Sequence, residues 1–194
     1  LENVNFTETS GGTNVGGAIG AANGSFRIYE VRVTGTIDGS TLGTEYLGGV
    51  AGYMSGSSQV YDSSFKGEVT GSSSASNYVG GITGRHSSDQ ELELCIVYGN
   101  SSITGANYTG GIAGKIDNIG QGKTLQLLAS LADVTGTDYV GGIAGEIEGS
   151  TTDFTLQYNY VSGYILGENT VGGMLGKFDD FPGYKVEYNV ITSI

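Results

Sequence analysis

Tyr78-Val79-Gly80-Gly81-Ile82-Thr83-Gly84, Tyr108-Thr109-Gly110-Gly111-Ile112-Ala113-Gly114 and Tyr139-Val140-Gly141-Gly142-Ile143-Ala144-Gly145 are near-copies of one seven-residue phrase. Looser copies lie on both sides of them. The Gly-Gly pairs begin at Gly16, Gly48, Gly80, Gly110, Gly141 and Gly172, at intervals of 32, 32, 30, 31 and 31 residues. A near-constant step along the whole chain predicts one repeat array and leaves no room for a second, unrelated domain.

Aligned on the Gly-Gly pair, the six copies give columns of distinct physical character. Val15, Leu47, Val79, Thr109, Val140 and Val171 precede it, and Ala18, Val50, Ile82, Ile112, Ile143 and Met174 follow it. A third glycine recurs at Gly20, Gly52, Gly84, Gly114, Gly145 and Gly176. Two residues on come Ala22, Met54, His86, Ile116, Ile147 and Phe178. This period-two pattern is that of a strand with one buried face, and the Gly-Gly pair interrupts it as a bend would. Further alternating runs, such as Phe26-Arg27-Ile28 and Leu125-Gln126-Leu127, bring the expectation to about three short strands per repeat.

Helical repeats of similar length need Ala, Leu, Glu and Lys in helical periods, which are lacking, and propeller blades need about forty residues or more. The sequence therefore predicts an all-β fold, a parallel β-helix (β-solenoid) of six three-sided coils. Each coil takes about 31 residues, in a single domain over 1–194. Coils stacked about 4.8 Å apart would make a rod roughly 30 Å long.

Composition agrees and narrows the function classes. The 194 residues hold 36 glycines but one proline, which rules out collagen, and 38% hydrophobic residues in a periodic pattern argue against disorder. The formal charge of −12 repels phosphate backbones and anionic headgroups, so nucleic acid is not an expected partner. No apolar run is long enough to span a bilayer, and no insertion of this segment into a membrane is expected. Cys95 is the only cysteine, so an intrachain disulfide cannot form.

The three seven-residue phrases resemble the GLUG-motif repeat family, and the likeness extends through six copies over nearly the whole chain. Ala18-Ile19 and Met174-Leu175 depart from the motif in the outer copies. The resemblance implies a bacterial cell-surface or secreted protein. Such repeats occur in adhesin-like proteins and outside the catalytic domain of immunoglobulin-A-cleaving metallopeptidases. The family supplies no catalytic residues.

In a parallel stack each column becomes a ladder. Tyr46, Tyr78, Tyr108 and Tyr139 share one column, with Asn14 and Thr170 at its ends, and point outward if the adjacent Val column points inward. They are the candidate binding residues, an aromatic strip for a glycan or a host surface protein. The competing reading is a ladder that pins coil register, each stacked pair contributing about 0.5–1.5 kcal/mol. The preceding column, Thr13, Glu45, Asn77, Asn107, Asp138 and Asn169, alternates acids with amides and predicts a turn ladder. Arg85, Lys115, Glu146 and Lys177 form a charged column with opposite signs on adjacent rungs, expected as a solvated face.

Catalytic chemistry finds little support. His86 is the only histidine, in an otherwise apolar column that places it partly in the core. Cys95, within Leu94-Cys95-Ile96-Val97, is expected as a small core residue. Asp179-Asp180 beside Pro182-Gly183 is expected as a solvated turn. Gly120-Gln121-Gly122-Lys123-Thr124 lacks phosphate-loop spacing and predicts a turn before a strand. Sequons at Asn5, Asn23, Asn100 and Asn107 are chance products of a Ser/Thr/Asn-rich chain if the source is bacterial.

The expectation is a non-enzymatic extracellular module with no cofactor and no metal, serving a bacterial surface protein as stalk, spacer or adhesin. A polysaccharide-binding or polysaccharide-cleaving β-helix is the alternative. Leu1 to Thr7 and Val186 to Ile194 are strand-like without polar caps, so flanking domains in a longer parent chain are expected as well.

Overall fold

Parallel pairing between residues about 31 positions apart organises the chain. The structure, a computed structural model, describes residues 4–7, 13–40, 43, 46–73, 77–149, 154–179 and 183–192. Among these residues every sheet is parallel and no helix occurs, which is the expected β-solenoid.

Each coil visits four sheets. The tyrosine sheet comprises Asn14–Gly16, Tyr46–Gly48, Tyr78–Gly80, Tyr108–Gly110, Val140–Gly141 and Val171–Gly172. After a gap of two residues the charged sheet begins, with Ile19–Gly24, Ala51–Gly56, Thr83–Ser88, Ala113–Asp117, Ala144–Glu148 and Leu175–Asp179. The third sheet holds Arg27–Tyr29, Gln59–Tyr61, Leu92–Glu93, Thr124–Gln126, Thr155–Gln157 and Lys185–Glu187. The fourth has ten strands, because eight-residue strands in the early coils, Arg32–Gly39 and Ser64–Gly71, give way later to pairs such as Ile96–Val97 and Ser102–Thr104.

Four sheets, rather than the three sides expected, follow from two bends, of which the sequence marks only the first. One is the Gly-Gly bend between the tyrosine and charged sheets. Its first glycine is forced by close approach: a Cβ at Gly80 would lie 2.7 Å from the Ala113 Cα and the Ile112 carbonyl oxygen on the next coil. Its second glycine faces the opposite wall of the coil. There Phe65, Val97, Ser130 and Val161 take the space that side chains at Gly49, Gly81, Gly111 and Gly142 would need.

The other bend lies between the third and fourth sheets, and it recurs in every coil at Glu30, Asp62, Leu94, Leu127, Tyr158 and Tyr188. All six have left-handed backbone, with φ of 54°, 43°, 53°, 56°, 54° and 55°. Glycine is the usual occupant of such positions, and a residue with a side chain costs about 1–3 kcal/mol there.

The core runs up the inside as stacked apolar columns. Val50, Ile82, Ile112 and Ile143 form one, and Val60, Leu92, Leu125 and Leu156 another. Met54, His86, Ile116 and Ile147 lie in register in a third. All of these side chains are buried, as the period-two pattern required.

Candidate functional site

Three features gather at the Gly-Gly bend: the tyrosine column, the charged column and the third glycine. That glycine lets the two strands pack backbone to backbone. A Cβ at Gly145 would lie 2.5 Å from the Tyr139 carbonyl oxygen and 2.6 Å from the Thr109 amide nitrogen. With the strands this close, their outer side chains meet.

The tyrosines stack as their register requires. Ring centroids lie 5.2 Å apart for Tyr46–Tyr78, 4.6 Å for Tyr78–Tyr108 and 5.0 Å for Tyr108–Tyr139, with interplanar angles of 22°, 10° and 11°. Tyr53, from the charged sheet, stacks on Tyr46 at 5.0 Å. All four candidate residues are half-buried.

Cations cover them. The Arg85 guanidinium lies 5.8 Å from the Tyr46 ring and 5.7 Å from Tyr78, Lys115 Nζ 5.6 Å from Tyr108, and Lys177 Nζ 5.4 Å from Tyr139. These are cation–π distances. The same cations pair along their own sheet. Arg85 meets Asp117 at 2.5 Å, Glu146 sits between Lys115 at 2.7 Å and Lys177 at 3.1 Å, and Glu148 and Asp179 complete the chain.

The charged column is therefore not the solvated face expected from its composition. The Lys115 side chain is 11% exposed and that of Glu146 is 4% exposed. Tyrosine rings on one side and ion partners above and below displace the water. Burial draws the Lys115 ammonium down, but bonds to Glu146 and Glu148 outweigh it and leave its pKa raised. For Arg85, burial is likewise outweighed by Asp117 and Tyr46, and its pKa is raised. Burial raises the phenols of Tyr78 and Tyr108.

The remaining sequence candidates sit as follows. His86 is fully buried, its Nε2 3.0 Å from the Gln90 carbonyl oxygen, and burial lowers its pKa. Among the described residues its Nδ1 has no hydrogen-bond partner. Cys95 is buried, and burial pushes its thiol up to about 12, far from a reactive thiolate. The amide column forms in part. Buried Asn77 accepts from the Ala106 amide at 3.0 Å and donates to the Ser72 carbonyl, and Asn169 donates to Asp138. Glu45 lies outside the described residues, as do Asp180 and Pro182 of the acidic turn. Gly120 to Thr124 is the expected turn, closed by Lys123 N donating to Gly120 O at 3.3 Å.

Sequence reasoning missed the left-handed bend, whose occupants are Glu, Asp, Leu and Tyr rather than one common type. Its later members are exposed: Leu127 by 43%, Tyr158 by 51% and Tyr188 by 66%. Only the 31-residue period could have revealed it.

No family model, curated protein or solved structure matches this chain.

Proposed function

We propose that this chain is a non-enzymatic extracellular module of a bacterial surface protein, a stiff spacer that carries or displays other parts of a longer parent. The likeness of the Tyr-Val-Gly-Gly-Ile-Ala-Gly copies to GLUG-motif repeats supports the bacterial surface assignment. One observation carries the spacer reading: the repeated side chains are consumed by the next rung. Tyr46, Tyr78, Tyr108 and Tyr139 stack on one another beneath cations that are themselves paired to neighbouring carboxylates.

Such a column resists sliding between coils, because a slip would break stacked rings and leave buried charges unpaired. The same arrangement turns ring faces toward one another, leaving edges and hydroxyls for a glycan or host protein. It thus favours the register role over an aromatic binding strip at these four residues. The buried histidine and unreactive thiol lend nothing to a catalytic reading.

Antibodies raised against the chain should label intact cells of the organism that makes it, and brief external proteolysis should remove that label. Labelling that requires permeabilised cells would overturn the surface assignment.

A further inference from the structure

The left-handed bend between the third and fourth sheets changes character along the molecule. In the first two coils its residues are Glu30 and Asp62, with Asp62 paired to Arg32 at 2.8 Å. In the last three they are Leu127, Tyr158 and Tyr188, with Tyr158 and Tyr188 stacked at 5.2 Å and 9°. Bulky side chains in left-handed backbone are outliers, and strain of this kind points to function when nothing in the packing calls for it. Packing does not call for these, since the three side chains project into solvent.

Their surroundings have a consistent chemistry. On the adjoining strands of the third sheet Gln157 donates to Gln126 at 3.0 Å and Gln126 to Glu93 at 2.7 Å, an amide ladder one residue before the bend. On the fourth sheet Tyr160 is exposed, its hydroxyl 3.0 Å from Thr192 Oγ1. Leu127, Tyr158, Tyr188, Tyr160, Gln126 and Gln157 thus form a strip of aromatic edges, hydroxyls and amides along successive rungs, bounded on the same ladder by the carboxylates of Glu93 and Glu187.

We propose that this strip binds a neutral glycan laid along the solenoid axis. Amides and phenols supply neutral donors and acceptors for sugar hydroxyls, and the rings supply apolar contact for sugar C–H groups. Charge selects the partner. The net charge of −12 repels anionic glycans and acidic proteins. The site goes beyond the spacer role but rests on the reading that the module is displayed outside the cell.

The test exploits the backbone. Asparagine is among the side chains best tolerated in left-handed conformation, so Tyr158→Asn with Tyr188→Asn removes the rings without threatening the fold. The full chain would be run by affinity electrophoresis through native gels containing hydroxyethylcellulose, galactomannan or dextran, with alginate as the anionic comparison. Wild-type protein is expected to be retarded by at least one neutral polysaccharide and not by alginate. The double variant is expected to bind about tenfold more weakly or worse, with a thermal midpoint equal or higher. No retardation in any neutral gel, or full retardation of the double variant, overturns the proposal. Reducing ends released from a glycan that binds the strip would uphold the site and overturn the non-enzymatic reading, whereas failure of the surface assignment shows only in the labelling of intact cells, so the failures are separable.

Discussion

The two bends of each coil solve the same geometric problem with opposite chemistry. At the Gly-Gly bend the residue types hardly change from coil to coil, and the side chains beside it are spent on each other. At the left-handed bend the backbone is constant, φ staying between 43° and 56°, while the side chains run from Glu and Asp through Leu to Tyr. A bend that packs inward fixes its residues, whereas one that projects into water fixes only its backbone and leaves the surface free to acquire function.

The largest expected effect lies at the third glycine, where the strands on either side of the Gly-Gly bend pack together. Gly114→Ala places a methyl 2.5 Å from the Val79 amide nitrogen and 2.7 Å from the Tyr108 carbonyl oxygen, where backbone on both sides must move. We expect a loss of about 4 kcal/mol or more in urea unfolding, at the exceptional end for a single substitution. A loss below about 1 kcal/mol would show that the two sheets separate easily, and the contrast between the bends would collapse.

Next comes the column beside that bend. Replacing Tyr78 and Tyr108 together with Ser removes three stacked contacts and uncovers Arg85 and Lys115. The expected cost is about 2–3 kcal/mol, at about 0.5–1.5 kcal/mol for each stacked pair. Unchanged stability together with loss of glycan or host-protein binding would return these tyrosines to the role of a site.

His86 offers a smaller effect with a defined sign. Burial lowers its folded pKa below the unfolded value of 6.5, so the unfolded chain takes up a proton that the folded chain refuses. Stability from this group is complete above about pH 6.5 and falls as pH drops, by up to about 1.4 kcal/mol per pH unit. His86→Met, which matches Met54 on the adjacent rung, should flatten the profile between about pH 6.5 and 5. A variant profile parallel to that of the wild type would show that the histidine titrates freely.

What could be read from the sequence follows the same division. The β-solenoid, the inward columns and the register of the tyrosines were legible because Val50, Ile82, Ile112 and Ile143 repeat in type as well as in position. The fourth sheet was not, because the bend that creates it is occupied by Glu30, Asp62, Leu94, Leu127, Tyr158 and Tyr188, of which only Asp62 is a residue that favours left-handed backbone. The charged column was read in the correct register but given the wrong environment. Arg85, Lys115, Glu146 and Lys177 look solvated in one dimension, and only the folding of the tyrosine strand beside them removes the water.

The smallest expected effect is at the left-handed bend, and its sign separates the two bends most sharply. Tyr158→Asn replaces a strained, exposed ring with a side chain suited to φ of 54°. The relief of strain favours the variant, and the lost stack with Tyr188 opposes it. Because both rings are more than half exposed, the stacking contribution is at the low end of its range, and the net change should be a gain of about 0.5 kcal/mol. Leu127→Asn isolates the backbone effect, since no aromatic stack is lost there, and should gain about as much or slightly more. Thermal unfolding of both variants beside Gly114→Ala gives the comparison in one experiment, with midpoints moving up at one bend and down at the other. A loss of more than about 1 kcal/mol for Leu127→Asn would show that the bend relies on its side chains for packing. The case for a strip kept for binding would then lose its physical basis.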